Sequence, residues 1–102
     1  MSDVMKGRPL KFRLLEIFYH NEPMWNYDVV AQIMEEYGMK SDFMRDSVNF
    51  DIIEVQMSGF IESTGCEVDV DGKFREGALL RRFRITDLGR SQYEELARKV
   101  RK

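Results

Sequence analysis

Cysteine, histidine, tryptophan and proline are scarce: the 102 residues hold one cysteine, one histidine, one tryptophan and two prolines. A lone cysteine, Cys66, can form no intramolecular disulfide, which suits a reducing compartment. His20 and Cys66 are too few and too distant in sequence to build a His/Cys metal site, so no metal is expected. There is no phosphate-cradling glycine loop and no serine nucleophile motif. The chain therefore reads as a non-enzyme, with no catalytic residues and no cofactor. No apolar run approaches the roughly 20 residues that a membrane helix needs. Residues 1–9 are polar and lack the apolar stretch of a signal peptide. A cytoplasmic location away from the membrane is the default expectation. Neither repeats nor low-complexity linkers divide the sequence, and its length is that of one domain covering residues 1–102.

What is present is ordinary for a folded chain. A 43% hydrophobic content beside 33% charged residues excludes a disordered polyelectrolyte. The net charge of −2 is unevenly spread. Residues 1–71 carry six Lys/Arg against fourteen Asp/Glu, whereas residues 72–102 carry ten against four. A basic final third can face phosphate, or it can face the acidic front of the same domain; both readings are open.

Periodicity predicts four helices and one hairpin. The first helix runs from about Pro9 to Tyr19, with Pro9 in the first turn and Leu10, Leu14, Ile17 and Phe18 in a stripe widened by Leu15. Asn21, Glu22 and Pro23 end it. The second starts at Asn26 as N-cap, repeats Val29, Val30, Ile33, Met34 and Tyr37, and stops at a left-handed Gly38. Met39 and Lys40 form a short turn to the third helix, which Ser41 caps and Asp42 favours at its positive end. That helix extends to about Ser58 and stops at Gly59. A strand follows in which Cys66, Val68 and Val70 alternate with Glu67 and Asp69. Asp71-Gly72 then predicts a two-residue turn that pairs Val70 with Lys73 and Val68 with Arg75. The return strand passes through Leu79 and Phe83 to Ile85, with a bulge at Gly77. Thr86 caps a last helix from Asp87 to about Arg101, whose apolar face holds Leu88, Tyr93, Leu96 and Val100.

Short helix, short turn and longer helix is the shape of a helix-turn-helix unit. Three segments carry a closer resemblance. Val55-Gln56-Met57-Ser58-Gly59-Phe60-Ile61-Glu62 resembles the apolar, three residues, glycine, apolar ending found in winged-helix regulators. Arg82-Phe83-Arg84-Ile85-Thr86-Asp87-Leu88-Gly89-Arg90 resembles the way their final helix begins. Asn26-Tyr27-Asp28-Val29-Val30 is similar to the start of the second helix in PadR-like regulators. The chain thus resembles winged helix-turn-helix, PadR/MarR-like transcriptional regulators from Leu10 to Val100. The resemblance implies a mostly α, α+β fold: three helices, a two-stranded wing hairpin and a C-terminal helix. It also implies a homodimer that binds double-stranded DNA, with the third helix in the major groove and the wing on phosphate. Carried onto this sequence, Ser41, Arg45 and Asn49 would serve the groove, with Arg45 and Asn49 on base edges. Lys73, Arg75, Arg81, Arg82 and Arg84 would meet phosphate. Within these residues the long extra C-terminal dimerisation helix of PadR proteins is missing.

The third helix fits this implication poorly. On a wheel of 100° per residue, Met44, Val48, Ile52 and Val55 form a core stripe, while Phe43, Phe50, Ile53 and Met57 form a second one opposite. Four carboxylates, Asp42, Asp46, Asp51 and Glu54, stand against one arginine. A helix that reads DNA should be polar and basic outside. One that is apolar on two sides is buried on two sides. Phe43, Phe50, Ile53 and Met57 are therefore either core or a partner interface. The alternative function is a winged-helix module that binds protein and not DNA. A continuous basic face would favour DNA; an acidic face with an exposed apolar patch would favour protein.

Other residues read more blandly. Trp25 and Tyr27 cap the core between the first two helices or form a partner platform. Cys66 is a small buried hydrophobe, with a redox sensor as the alternative. His20 is a C-terminal helix cation or solvated. Glu35-Glu36 and Glu94-Glu95 lie on solvated faces, and the seven methionines mostly fill the core.

Overall fold

The computed structural model describes residues 10–21 and 23–100. Expectations for Pro9, Glu22, the Val100 side chain, Arg101 and Lys102 lie outside the described residues. Among the described residues the chain is mostly helical, with four helices and one three-stranded antiparallel sheet. The order is α1 (Leu10–His20), β1 (Met24–Trp25), α2 (Asn26–Tyr37), α3 (Asp42–Met57), β2 (Ile61–Val68), β3 (Leu79–Ile85) and α4 (Asp87–Val100). No helix among the described residues is long and apolar enough to cross a membrane.

The helices form where apolar spacing and caps coincide. In α1, Phe12, Leu14, Leu15, Ile17 and Phe18 are buried, and the Asn21 amide donates to the Ile17 carbonyl at the helix end. Gly38 ends α2 in the left-handed region at φ 67°, where a side chain would be strained. Ser41 Oγ accepts the Met44 N–H at 3.1 Å and so caps α3. Val48, Ile52 and Val55 of α3 are buried against this core. Leu14, Val29, Ile33 and Ile52 are fully sealed at its centre.

Two of the family-like segments close on each other. Thr86 Oγ1 accepts the Gly89 N–H at 3.0 Å, donates to the Gly59 carbonyl at 2.6 Å, and the Thr86 N–H donates to the Phe60 carbonyl. A Cβ on Gly89 would sit 2.0 Å from the Phe60 carbonyl oxygen, so α4 crosses the chain before β2 at backbone contact. Only glycine permits that approach.

The sheet order is β1-β3-β2. β1 pairs Met24 with Phe83 and Trp25 with Arg82. Two residues are too short to show alternation, so this strand was not legible from pattern.

The hairpin departs most from expectation. β2 starts at Ile61, five residues before the anticipated Cys66, and Val68 pairs with Leu79 instead of Arg75. No tight turn forms at Asp71-Gly72; residues 69–78 make a closed loop. Its organiser is Asp69, only 1% exposed, whose carboxylate accepts the N–H groups of Lys73, Phe74 and Arg75 at 2.8–2.9 Å. The Asp69 N–H donates to Ala78, and Gly77 N–H donates back to Asp69, both at 2.8 Å. A carboxylate holding three backbone donors outcompetes the pairing that a two-residue turn would offer. The loop then folds Phe74 into the core. The bulge lies between Ser63 and Gly65, and Gly77 instead closes the loop at φ 88°.

Several side chains stand outside where burial was expected. Val68 and Val70 are 58% and 74% exposed, and Cys66 is also exposed. Their alternation reports extended backbone, not a covered face. Met44, Met57 and Leu88 are exposed as well, so neither the methionines nor the apolar face of α4 belong wholly to the core. Asn26 does not cap α2: Trp25 occupies that position without a side-chain bond. Asn26 is buried and its amide is used elsewhere.

Candidate functional site

α3 is the element from which both functional readings start. Its inner stripe, Val48, Ile52 and Val55, turns the opposite face outward. There Phe43 is 81% exposed, Phe50 57% and Met57 79%, with Ile53 half-buried beside them. Two aromatic rings and a thioether left in water are an unusual concentration of apolar surface for one helix face.

The acidic residues around that face are paired within the chain. Asp46 lies 3.5 Å from Arg45 and 3.2 Å from Arg75, Asp42 lies 3.6 Å from Arg45, and Glu54 meets Lys11 at 2.6 Å. The hydrogen bond to Glu54 raises the Lys11 ammonium above its ordinary value against a partial loss of solvent. Burial, with the neighbouring Glu54 charge, pushes the Asp51 carboxyl up, and Lys11 pulls it back in part. The helix is acidic by count yet largely compensated where it faces outward.

The two residues expected on base edges are engaged inside the molecule. Arg45 Nη1 donates to the Phe74 carbonyl at 3.3 Å and its guanidinium lies 4.9 Å from the Phe74 ring centre. It ties α3 to the 69–78 loop. Asn49 Oδ1 accepts from Asn26 Nδ2 at 3.0 Å, and Asn26 Oδ1 accepts the Arg81 N–H at 3.0 Å. That amide chain clamps α2, α3 and β3 together. Ser41 is exposed but its hydroxyl caps α3.

The expected phosphate contacts divide. Arg75 pairs with Asp46, and Arg84 with Glu62 at 2.6 Å. Arg82 donates to Thr64 Oγ1 at 2.9 Å and to its carbonyl. Lys73 and Arg82 nonetheless bracket an aromatic pair. Trp25 and Tyr27 are stacked with ring centres 6.1 Å apart; Arg82 lies 5.7 Å from the Trp25 ring and Lys73 5.7 Å from the Tyr27 ring. Both rings are half-buried against the core, so they cap it with one side and present the other.

Elsewhere, Glu36 and Glu94 are exposed as anticipated but also accept from Arg13 and Tyr19. His20 is exposed at the end of α1, 3.4 Å from the Tyr93 hydroxyl. A half-open apolar cavity of about 250 Å³ lies between α1, α3 and α4, lined by Phe12, Leu15, Val55, Phe60 and Leu96. Pattern reasoning missed Asn26, Asp69 and Phe74 as organisers. The signal for Asp69 was its place before Asp71-Gly72, in a stretch rich in turn formers. No family model matches this chain, and no curated protein or solved structure is significantly similar to it.

Proposed function

We propose that the chain is a winged-helix-type protein-interaction module whose contact surface is the outer face of α3. One observation carries this reading: Phe43, Phe50 and Met57 are exposed on the helix that would have to read DNA. The engagement of Arg45 and Asn49 in internal contacts supports it, because a base-reading side chain must be free to fork onto a base edge. The low net basicity of α3 supports it as well, since a phosphate backbone attracts a basic face.

Binding of double-stranded DNA by a transcriptional regulator is the second reading, favoured by the Arg82–Trp25–Tyr27–Lys73 ladder. It would use Lys73, Arg75, Arg81, Arg82 and Arg84 on phosphate and would leave α3 outside the groove.

Retention of a random duplex pool by the tethered protein at about 50 and 200 mM salt separates the two. We expect no retention that depends on salt. In parallel, complexes formed with other protein molecules should be lost in a Phe43→Ser/Phe50→Ser/Met57→Ser variant. Duplex retained at low salt by wild type and lost in Lys73→Ala/Arg75→Ala would replace the protein reading by the DNA reading.

A further inference from the structure

The exposed stripe of α3 has a symmetry of its own. Phe43 and Met57 each stand seven positions from Phe50, and seven residues advance a helix by nearly two full turns. The three side chains therefore run along one line about 21 Å long, with Phe50 at its midpoint. Resting on the reading of this face as a protein contact, we infer that its partner is α3 of a second copy, antiparallel, with the two-fold axis at Phe50.

Three observations point to a second copy. The first is apolar register. An antiparallel two-fold sets Phe50 against Phe50 and Phe43 against Met57, so each large apolar group meets another. The second is that the acids beside the stripe already have partners. In that arrangement Glu54 stands level with Asp46 of the second copy, and Asp46 level with its Glu54. Each of them is paired within its own chain, Glu54 with Lys11 at 2.6 Å and Asp46 with Arg75 at 3.2 Å, which offsets the repulsion between the two acidic helices. The third is area. Phe43, Phe50 and Met57, at 81%, 57% and 79% exposure, offer about 400 Å² of side-chain surface per copy. That is about half of what each partner contributes to a standard interface, as suits a weak, reversible dimer.

Sedimentation velocity from about 5 to 200 µM should show a monomer–dimer equilibrium in this range. Phe50→Glu should weaken it by at least roughly thirtyfold, as expected for a residue at the centre of an interface. Phe50 is exposed, so an unchanged circular-dichroism melt of dilute protein will show that the variant folds. The axis is tested in a Cys66→Ser background with a short bismaleimide. Phe50→Cys should cross-link to itself. Phe43→Cys should cross-link to Met57→Cys in a mixture but not to itself. Monomer throughout the range, a dimer unaffected by Phe50→Glu, or self-linking of Phe43→Cys would each overturn the inference. None of these outcomes bears on the duplex-retention assay, so failure of the dimer and failure of the protein-binding reading are distinguishable.

Discussion

Asp69 is 1% exposed and still carries its charge in the right place. Burial opposes ionisation, but the N–H groups of Phe74, Lys73, Arg75 and Gly72 outweigh it and hold the carboxyl below its ordinary value of 3.8. A carboxyl lowered in the folded state binds fewer protons than in the unfolded chain at acidic pH. Its stabilisation is thus full above the unfolded value and is lost as pH falls through the folded one. Melting followed from about pH 6 to about pH 3 should show wild type losing stability. Asp69→Asn should melt lower at neutral pH and show a flatter dependence over that interval. Equal slopes for the two proteins would mean that the cradle does not act through charge. Asp51 faces the opposite situation: burial and Glu54 raise it, so its ionised form weakens the fold at neutral pH.

Among elements, the 69–78 loop is the one whose structure depends most on a single apolar anchor. Phe74 is 8% exposed, with Arg45 at 4.9 Å and Arg75 at 5.3 Å from its ring centre. Removing the ring takes away buried surface and two cation–π contacts together. Phe74→Ala should cost roughly 3 kcal/mol in urea unfolding. Amide exchange at residues 73–75 should accelerate far more than in α1, because these N–H groups depend on the loop staying closed. A cost under about 1 kcal/mol would show that Asp69 holds the loop alone. The same loop reaches α3 through the Arg45–Phe74 and Arg75–Asp46 contacts, so its loosening would reach the helix that carries the proposed contact face.

For the whole molecule, the consequence of an α3–α3 interface is a stability that depends on concentration. A dimer that binds only folded chains raises the melting temperature with protein concentration by mass action. Wild type is expected to melt a few degrees higher at about 200 µM than at about 5 µM, and Phe50→Glu to melt at one temperature throughout. Concentration-independent melting of wild type would argue against any folded-state association over that range.

The amino-acid sequence by itself determined the helices, because they rest on local physics. Apolar residues recur every three or four positions, Ser41 supplies a hydroxyl at a helix start, and Gly38 accepts a left-handed angle that others resist. The return strand to Ile85 and the cap at Thr86 were legible for the same reason. The second apolar stripe of α3 was visible as well, though its exposure was not. Tertiary structure decided the rest. The Asp71-Gly72 signal is local and was overruled by three N–H groups converging on Asp69. Asn26 resembles a cap until its partners, 23 and 55 residues away, are known. Arg45 and Asn49 have the chemistry to read bases, and only the packed chain engages them elsewhere. Contacts between residues far apart in sequence leave no periodic trace, so they become legible only when the chain has closed on itself.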